Sequence, residues 1–121
     1  MNLQIETRLS DQLAQYVNLA ANQAKLTANN MANIDTPGYH TKGLDFDAEM
    51  RSALQASDED KRPGPTHVLA VDGLVARPDG NNVSMDREGL KLAESQLKFR
   101  TGVALLKHEF QNVLNAIHSD K

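Results

Sequence analysis

Cysteine and tryptophan are both missing from this chain of 121 residues. Without cysteine, the chain can form neither a disulfide framework nor a thiolate metal site. Aromatic residues make up only 4% of the sequence although 40% of it is hydrophobic, and much of that hydrophobic content is alanine. Alanine buries little apolar area, and hydrophobic stabilisation follows buried area at roughly 25 cal/mol per Å². We therefore expect a thin core that depends on contacts between chains.

Strong charge and long apolar runs are lacking as well. The 13 basic and 16 acidic residues give a net charge of −3 and are scattered, whereas nucleic-acid-binding proteins usually carry a basic stripe. No segment approaches the ~20 apolar residues that a membrane helix requires. Residues 1–8 lack the basic and then apolar pattern of a secretory signal. We expect no nucleic-acid partner, no direct membrane insertion and no cleaved signal peptide.

Side chains that could carry chemistry are dispersed along the sequence. The acidic clusters that begin at Asp45 and Asp58 lack the glycine of a calcium-binding loop. No glycine-rich loop for a phosphate group is present either. None of the four histidines stands at metal-ligand spacing from another; they are His40, His67, His108 and His118. The sequence therefore predicts no enzyme, no metal and no cofactor.

Two long helices are predicted, one near each end of the chain. From Thr7 to Asn33 and from Met85 to Ile117, apolar residues recur at spacings of three and four. Ser10 or an earlier residue can cap the first helix, and Asn82 or Ser84 can cap the second. The second helix also contains Gly89 and Gly102. Each is either a tolerated weak helix former or a point of close approach by a neighbouring helix.

The apolar faces of these helices predict a coiled-coil-like pair in a mainly α fold. We divide the chain into an N-terminal helix (1–35), an irregular connecting region (36–82) and a C-terminal helix (83–121). A hairpin that buries its own seam is one possibility, and a seam completed by other copies of the chain is the other. The predicted seam residues are Leu13, Tyr16, Val17, Ala20, Ala24, Leu97, Val103, Leu106, Phe110, Val113 and Ile117.

The connecting region holds all four prolines. Within it, the spacing of apolar residues from Asp45 to Leu54 predicts a short helix. Ser57–Pro65 is typical of a polar loop. Val68–Val71 and Leu74–Arg77 flank Asp72-Gly73, which is a pattern typical of a β-hairpin.

The most informative segment runs from residue 28 to residue 39. Its helix must end before Pro37, which lacks a backbone N–H, and Gly38 can take the positive φ of a type II turn. The side-chain amides of three asparagines in this segment need hydrogen-bond partners, which favours packing against other chains. The residues of interest are Ala28, Asn29, Asn30, Ala32, Asn33, Thr36, Pro37, Gly38 and Tyr39.

This segment resembles the N-terminal signature of the flagellar rod, hook and hook-associated protein group, with Met31 in place of a leucine. Leu44-Asp45-Phe46, the opening of the last helix at 82–88, the segments 92–99 and 105–117, and the short length are similar to the proximal rod members of that group. The resemblance implies a non-catalytic structural subunit of the proximal rod of the bacterial flagellar basal body. Such subunits assemble helically into the periplasmic drive shaft that transmits torque.

The resemblance also implies partners and a route. The partners would be copies of this chain, the rod proteins FlgC, FlgF and FlgG, FliE at the rod base, and the flagellar type III export apparatus, which exports the chain unfolded. The asparagines of the signature would bond within or between subunits, and Thr36–Tyr39 would direct the chain away from the shaft. A different class stays open beside this one, namely a soluble helical adaptor or chaperone that presents amphipathic helices to a partner protein.

Overall fold

A computed structural model describes residues 7–119, and the parts of the predicted terminal segments at 1–6 and 120–121 lie outside the described residues. The elements in chain order are α1 (Arg8–Ala32), β1 (Lys42–Gly43), α2 (Phe46–Asp58), β2 (Leu69–Ala70) and α3 (Met85–His118). The two long helices thus lie where the sequence predicts them, and the mainly α fold is confirmed.

Local side-chain caps explain where the long helices begin. Thr7 precedes α1, and its hydroxyl accepts a hydrogen bond from the Ser10 backbone N–H at 3.0 Å, while the Thr7 N–H donates to Ser10 Oγ at 2.9 Å. This reciprocal pair is a capping box, so the helix begins before Ser10. At α3 the hydroxyl of Ser84 accepts from the Arg87 N–H at 3.3 Å, which confirms the predicted cap.

The turn that follows α1 has the predicted form. Gly38 has a φ of 73°, and the Tyr39 N–H donates to the Thr36 carbonyl at 3.2 Å. Positive φ at the third residue with this bond is the geometry of a type II turn. After this turn, the polypeptide runs back alongside α1. The following strand β1 contacts that helix, where the Lys42 backbone bonds to Asn30.

Helices α1 and α3 pack side by side in antiparallel directions. Near one end of the pair, Asn30 Nδ2 of α1 donates to Glu88 Oε2 of α3 at 3.1 Å. Near the other end, Thr7 Oγ1 donates to Glu109 Oε1 at 2.9 Å. The extensive contacts between α1 and α3 make this pair the frame of the molecule.

Phe46 joins all three helices. It lies at the start of α2, after the N-cap Asp45, whose side chain accepts from the Ala48 N–H at 3.1 Å. The Phe46 ring packs edge-on against Tyr16 of α1, with centroids 5.3 Å apart. Lys98 of α3 places its ammonium nitrogen 3.9 Å from the centre of the same ring, a favourable cation–π contact. Helix α2 continues to Asp58 rather than ending at Leu54 as predicted.

The predicted antiparallel two-stranded sheet is present in the middle of the chain, but the predicted pairing is wrong. Leu69–Ala70 pairs with Lys42–Gly43, not with the segment after the turn at Gly73. Gly43 permits this close pairing, because a Cβ there would lie 2.9 Å from Val71 Cγ2. The strand Lys42–Gly43 is available because Asn30 already holds the backbone of Lys42, whereas Leu74–Arg77 does not form a strand.

The core is as thin as the composition predicts. Within residues 7–119, the buried hydrophobic side chains are Leu19, Ala20, Phe46 and Val83. More polar than apolar side chains are buried, namely Ser10, Gln23, Thr27, Asn30, Thr41, Asn81, Glu88 and Ser95. None of the helices in this range is long and apolar enough to cross a membrane. Polar contacts therefore hold much of this fold in place.

Candidate functional site: the signature segment and the helix pair

Asn30 is the centre of the signature segment. It lies on the last turn of α1 and is only 1% exposed. Its Nδ2 donates to the Lys42 carbonyl at 2.7 Å and to Glu88 Oε2 at 3.1 Å. Its Oδ1 accepts from the Tyr39 hydroxyl at 2.8 Å and from the Lys42 N–H at 3.1 Å. The whole hydrogen-bonding capacity of the amide is used, and it links α1 to the next strand and to α3.

The other two asparagines of the signature stabilise the end of α1. Asn29 is exposed, and its Nδ2 donates to the Tyr39 hydroxyl at 3.1 Å. Asn33 Nδ2 donates to the Asn29 carbonyl at 2.8 Å, and Asn33 Oδ1 accepts from Thr36 Oγ1 at 3.0 Å. The bonds described for all three asparagines therefore lie within one chain. The remaining signature residues Ala28, Ala32, Thr36, Pro37 and Gly38 are exposed.

A second loop, residues 77–84, lies against the end of the signature segment although it comes much later in the sequence. Asn81 is fully buried, and its Nδ2 donates to the carbonyls of Asn33 and Thr36 at 2.8 and 2.9 Å. The carbonyls at and beyond a helix C-terminus have no partner within the helix. Each of these two carbonyls accepts one backbone N–H from the turn that follows, and Asn81 adds a second donor to each, while its own Oδ1 accepts from the Val83 N–H at 2.9 Å.

Two further contacts fasten this loop. The Arg77 guanidinium donates to the Ile34 carbonyl and, at 3.2 Å, to the Val83 carbonyl. The Gly38 N–H donates to the Asp79 carbonyl at 2.8 Å, and a Cβ on Gly80 would lie 3.3 Å from Gly38 Cα. The two loops thus touch backbone to backbone. Sequence analysis did not identify residues 77–81 as partners of the signature.

Glu88 is a buried carboxylate that sequence reasoning also missed. It is 1% exposed on the first turns of α3, where Arg87 Nη1 lies 2.5 Å from Glu88 Oε1 and Asn30 donates to the other oxygen. Charges that are removed from water need such partners. Burial and the nearby charge of Glu88 raise the pKa of Tyr39 above its ordinary value, against the opposing hydrogen bond from Asn29.

The face that α3 presents to α1 is small and polar. Its buried members Glu88, Ser95 and Gly102 follow one another at intervals of seven residues. A Cβ on Gly102 would lie 2.7 Å from Val17 Cγ2 and 2.9 Å from Tyr16 Cδ1, so here the interpretation as a close approach is correct. Around Gly89, by contrast, a Cβ would meet nothing within 4 Å, and that glycine is simply tolerated.

The predicted seam residues take different positions. On α1, Ala20 is buried, and the others are half-buried, namely Leu13, Tyr16, Val17 and Ala24. On α3, placing Leu97 in the seam is wrong, because this side chain is 68% exposed and lies on another face from Ser95. Apolar spacing alone selected it, whereas the close contact with α1 uses small and polar residues.

The other predicted α3 residues form a surface that we call the C-terminal apolar stripe, together with Phe99. Its members are Phe99, Val103, Leu106, Phe110, Val113 and Ile117. Val103, Leu106 and Val113 are half-buried, whereas Phe99, Phe110 and Ile117 are 42%, 38% and 46% exposed. The stripe lies beside the face that α3 presents to α1, which we call its inner face, since Val103 follows Gly102 and Phe110 follows Glu109 in sequence. Contacts within residues 7–119 leave much of it open.

The arrangement supports packing rather than chemistry. Within residues 7–119, no three histidine or carboxylate side chains come together in a way that could hold a metal ion. The clefts of this region lie open on the surface, such as the one between α1, α2 and the loop 63–66. Asn30, Asn81 and Glu88 are engaged in hydrogen bonds between segments of the chain, whereas Gln23 Oε1 and Thr41 Oγ1 are buried without a partner among the described residues.

Comparison with known proteins identifies the family. A scan against models of protein families gives no match. The flagellar basal body rod protein FlgB of Salmonella typhimurium is 30% identical, over 84% of this chain and 86% of the relative. FlgB of Cereibacter sphaeroides is 30% identical over 94% of this chain and 99% of its own length, and FlgB of Escherichia coli is 25% identical over 85% and 88%. The chain therefore belongs to the FlgB family of flagellar basal body rod proteins.

Proposed function

We propose that this chain is a structural subunit of the proximal rod of the bacterial flagellar basal body and that it assembles helically with copies of itself. Its relatives carry the name of a basal body rod protein, and the family is structural rather than enzymatic. The single observation that carries the proposal in the structure is the C-terminal apolar stripe, which pairing within residues 7–119 leaves half open.

The stripe offers the free energy for assembly. Burying one large apolar side chain completely is worth about 1.5–3 kcal/mol relative to leaving it exposed. A neighbouring subunit that covers Phe99, Phe110 and Ile117 would gain part of this burial free energy for each residue. A head-to-tail contact of this kind, with a rotation that does not close into a ring, produces a helical array. Torque would then pass through many lateral contacts.

The roles that we propose for the individual segments and for the partners are those typical of the flagellar rod protein group. The terminal segments 1–35 and 83–121 would form the inner domain of the rod, and residues 36–82 would bridge neighbouring subunits. FlgC, FlgF, FlgG and FliE would be the neighbours along the shaft. The flagellar type III apparatus would deliver the chain to the periplasmic rod without a cleaved signal peptide.

Concentration-dependent assembly of the purified chain tests the proposal. Sedimentation velocity of the unmodified chain should show growth into large species as concentration rises. Phe110→Asp places a charge in the stripe and should abolish this growth, whereas Gln111→Asp adds the same charge at an exposed neighbouring position and should retain it. In cells that lack the native protein, motility should follow the same order.

Two results would contradict the proposal. One is equal growth of Phe110→Asp and Gln111→Asp, since the stripe would then be irrelevant to assembly. The other is saturation of the unmodified chain in a single complex of fixed stoichiometry with a partner, without further growth. The second result would favour the adaptor or chaperone that the amphipathic helices also allow.

A further inference from the structure

The inner faces of the helix pair repeat every seven residues on both helices. On α1, the buried residues Gln23 and Asn30 stand seven apart, as do Ala20 and Thr27. On α3, the buried residues Glu88, Ser95 and Gly102 have the same interval. A slip of one helix by seven residues would therefore again bring small and polar side chains face to face. The seven-residue repeat alone therefore does not determine the observed register, and other contacts must do so.

One determinant is the contact between Asn30 and Glu88. In the observed register, the buried Glu88 carboxylate accepts from Asn30 at 3.1 Å and from Arg87 at 2.5 Å. After a slip, Ser95 would stand at the place of Glu88. Its side chain is two carbons shorter than that of glutamate, and its hydroxyl is held at the Lys91 carbonyl at 2.7 Å, so its oxygen would not reach Asn30. The Asn30 amide would then lose an acceptor, and Glu88 would lose a donor. Leaving buried polar groups without partners is unfavourable, because they lose the hydrogen bonds that water supplies in the unfolded chain.

The other determinant is the absence of a side chain at Gly102. Tyr16 and Val17 approach the backbone there so closely that a Cβ would lie 2.9 and 2.7 Å from their nearest atoms. After a slip of seven residues, these two side chains would meet Ser95 or Glu109, which both carry a Cβ. Neither position offers the required space.

We infer that Glu88 and Gly102 set the register in which α3 pairs with α1. Glu88 acts through its hydrogen bond with Asn30, which a slip would break, and Gly102 acts through the space that Tyr16 and Val17 occupy in the observed register. Buried polar residues have this register-fixing role in coiled coils, where they trade stability for specificity. The register in turn fixes where the C-terminal apolar stripe lies relative to the signature segment.

The distance between two labels reports the register directly. The chain has no native cysteine, so Asp11→Cys and Ala93→Cys in the full chain give two unique sites for spin labels, at exposed positions of α1 and α3. These sites are offset along the pair, so a slip changes their separation. Seven residues of α-helix correspond to about 10 Å along the axis. Pulsed electron spin resonance should show one narrow distance for the otherwise unmodified chain.

Substitutions at position 88 separate the hydrogen bond from general packing. Glu88→Met keeps the length of the side chain without an acceptor and should add a second population displaced by up to about 10 Å, with helical circular dichroism unchanged. Glu88→Gln keeps an oxygen for Asn30 and should retain the single distance. Glu94→Met makes the same change at a partly exposed glutamate of α3 and should also retain it.

The glycine pair gives an independent measurement. Gly102→Ala should produce a displaced population, whereas Gly89→Ala, on the same helix with open space around it, should not. The inference is overturned if Glu88→Met and Gly102→Ala both keep one unshifted distance, or if Glu88→Gln shifts as much as Glu88→Met. If Glu88→Met loses its helices, the glycine pair decides, and equal distances in Gly102→Ala and Gly89→Ala then refute the inference.

Discussion

The two ends of the helix pair differ in what a single chain supplies. At the end formed by Asn30 and Glu88, these two side chains and that of Asn81 find their partners in the same chain, and the loop 77–84 closes over the end of α1. At the other end, α3 carries the C-terminal apolar stripe, whose aromatic and aliphatic side chains stay partly open to solvent. We call the first the closed end and the second the open end, which would contact a neighbour in the proposed assembly. Substitutions at the first should change folding, and substitutions at the second should change assembly.

The largest loss of stability is expected from Asn30→Leu at the closed end. The substitution removes four hydrogen bonds and leaves the Glu88 carboxylate without its donor from α1. Leaving one buried polar group without its partner costs about 1–3 kcal/mol, and more where the group is charged, and several groups are affected here. Urea denaturation followed by circular dichroism measures the change. Asn29→Leu, at an exposed neighbour with one side-chain bond to Tyr39, is the control and should cost less than about 1.5 kcal/mol.

A loss of similar size in Asn29→Leu would show that helix propensity, which the two substitutions change alike, dominates at this end. The contrast between the ends of the pair would then lose its physical basis.

The two glycines of α3 should respond in opposite directions. Gly89→Ala meets open space and should stabilise the chain by about 0.5–1 kcal/mol, because alanine is the better helix former. Gly102→Ala gains the same propensity but forces Tyr16 and Val17 to move, and overpacking of this kind costs about 1–3 kcal/mol. Thermal denaturation of both variants gives the comparison. Stabilisation by both would mean that the helices separate easily at this point.

Much of the fold could be predicted because its causes are local. The capping residues Thr7 and Ser84 lie within three residues of the groups that they cap, and Pro37-Gly38 determines its own turn. The signature segment was found for the same reason, since its residues are contiguous. The need of Asn30 for partners was predicted from the run of asparagines, but it was interpreted as packing against other chains, whereas its four bonds lie within the same chain.

What could not be predicted depends on contacts between distant segments. Asn81 donates hydrogen bonds to carbonyls 45 and 48 residues earlier in the chain, and no local sequence pattern predicts these contacts. The hairpin prediction at Asp72-Gly73 followed local turn chemistry, but Leu69–Ala70 found a better-positioned partner in the strand that Asn30 holds. On α3, apolar spacing pointed to Val103 and Phe110, whereas the close contact uses the residue before each. A hydrophobic pattern alone does not show that this contact requires a residue without a side chain at position 102.

A smaller effect should appear at alkaline pH, again at the closed end. The protonated Tyr39 hydroxyl donates to Asn30 at 2.8 Å, and burial together with nearby Glu88 raises the pKa of this tyrosine. A raised pKa means that the folded state favours the protonated form. Its contribution to stability is therefore complete below the ordinary tyrosine pKa of about 10 and is lost as pH rises through the higher value of the folded state.

Spectrophotometric titration measures this shift without interference in Tyr16→Phe, because the chain has only two tyrosines. The remaining tyrosine should ionise at a higher pH in the folded chain than in urea. Unfolding experiments complete the test, since Tyr39→Phe should weaken the loss of stability above pH 10. Identical titration curves in the folded and unfolded chain would remove the contribution assigned to this hydroxyl.

The smallest effect on the single chain is expected at the open end. Ile117 is 46% exposed on the last turn of α3, and truncation there removes few contacts, so Ile117→Ala should change the free energy of unfolding by less than about 0.5 kcal/mol. The matched control is Leu19→Ala, which empties a buried site in the core and should cost about 2–5 kcal/mol. Ile117→Ala should weaken assembly more than it weakens folding, because a neighbouring subunit would cover Ile117. Sedimentation of Ile117→Ala should therefore show weaker growth at equal stability of the monomer. A monomer destabilised as much as Leu19→Ala would mean that the stripe already serves the single chain, and the division between a closed and an open end would fail.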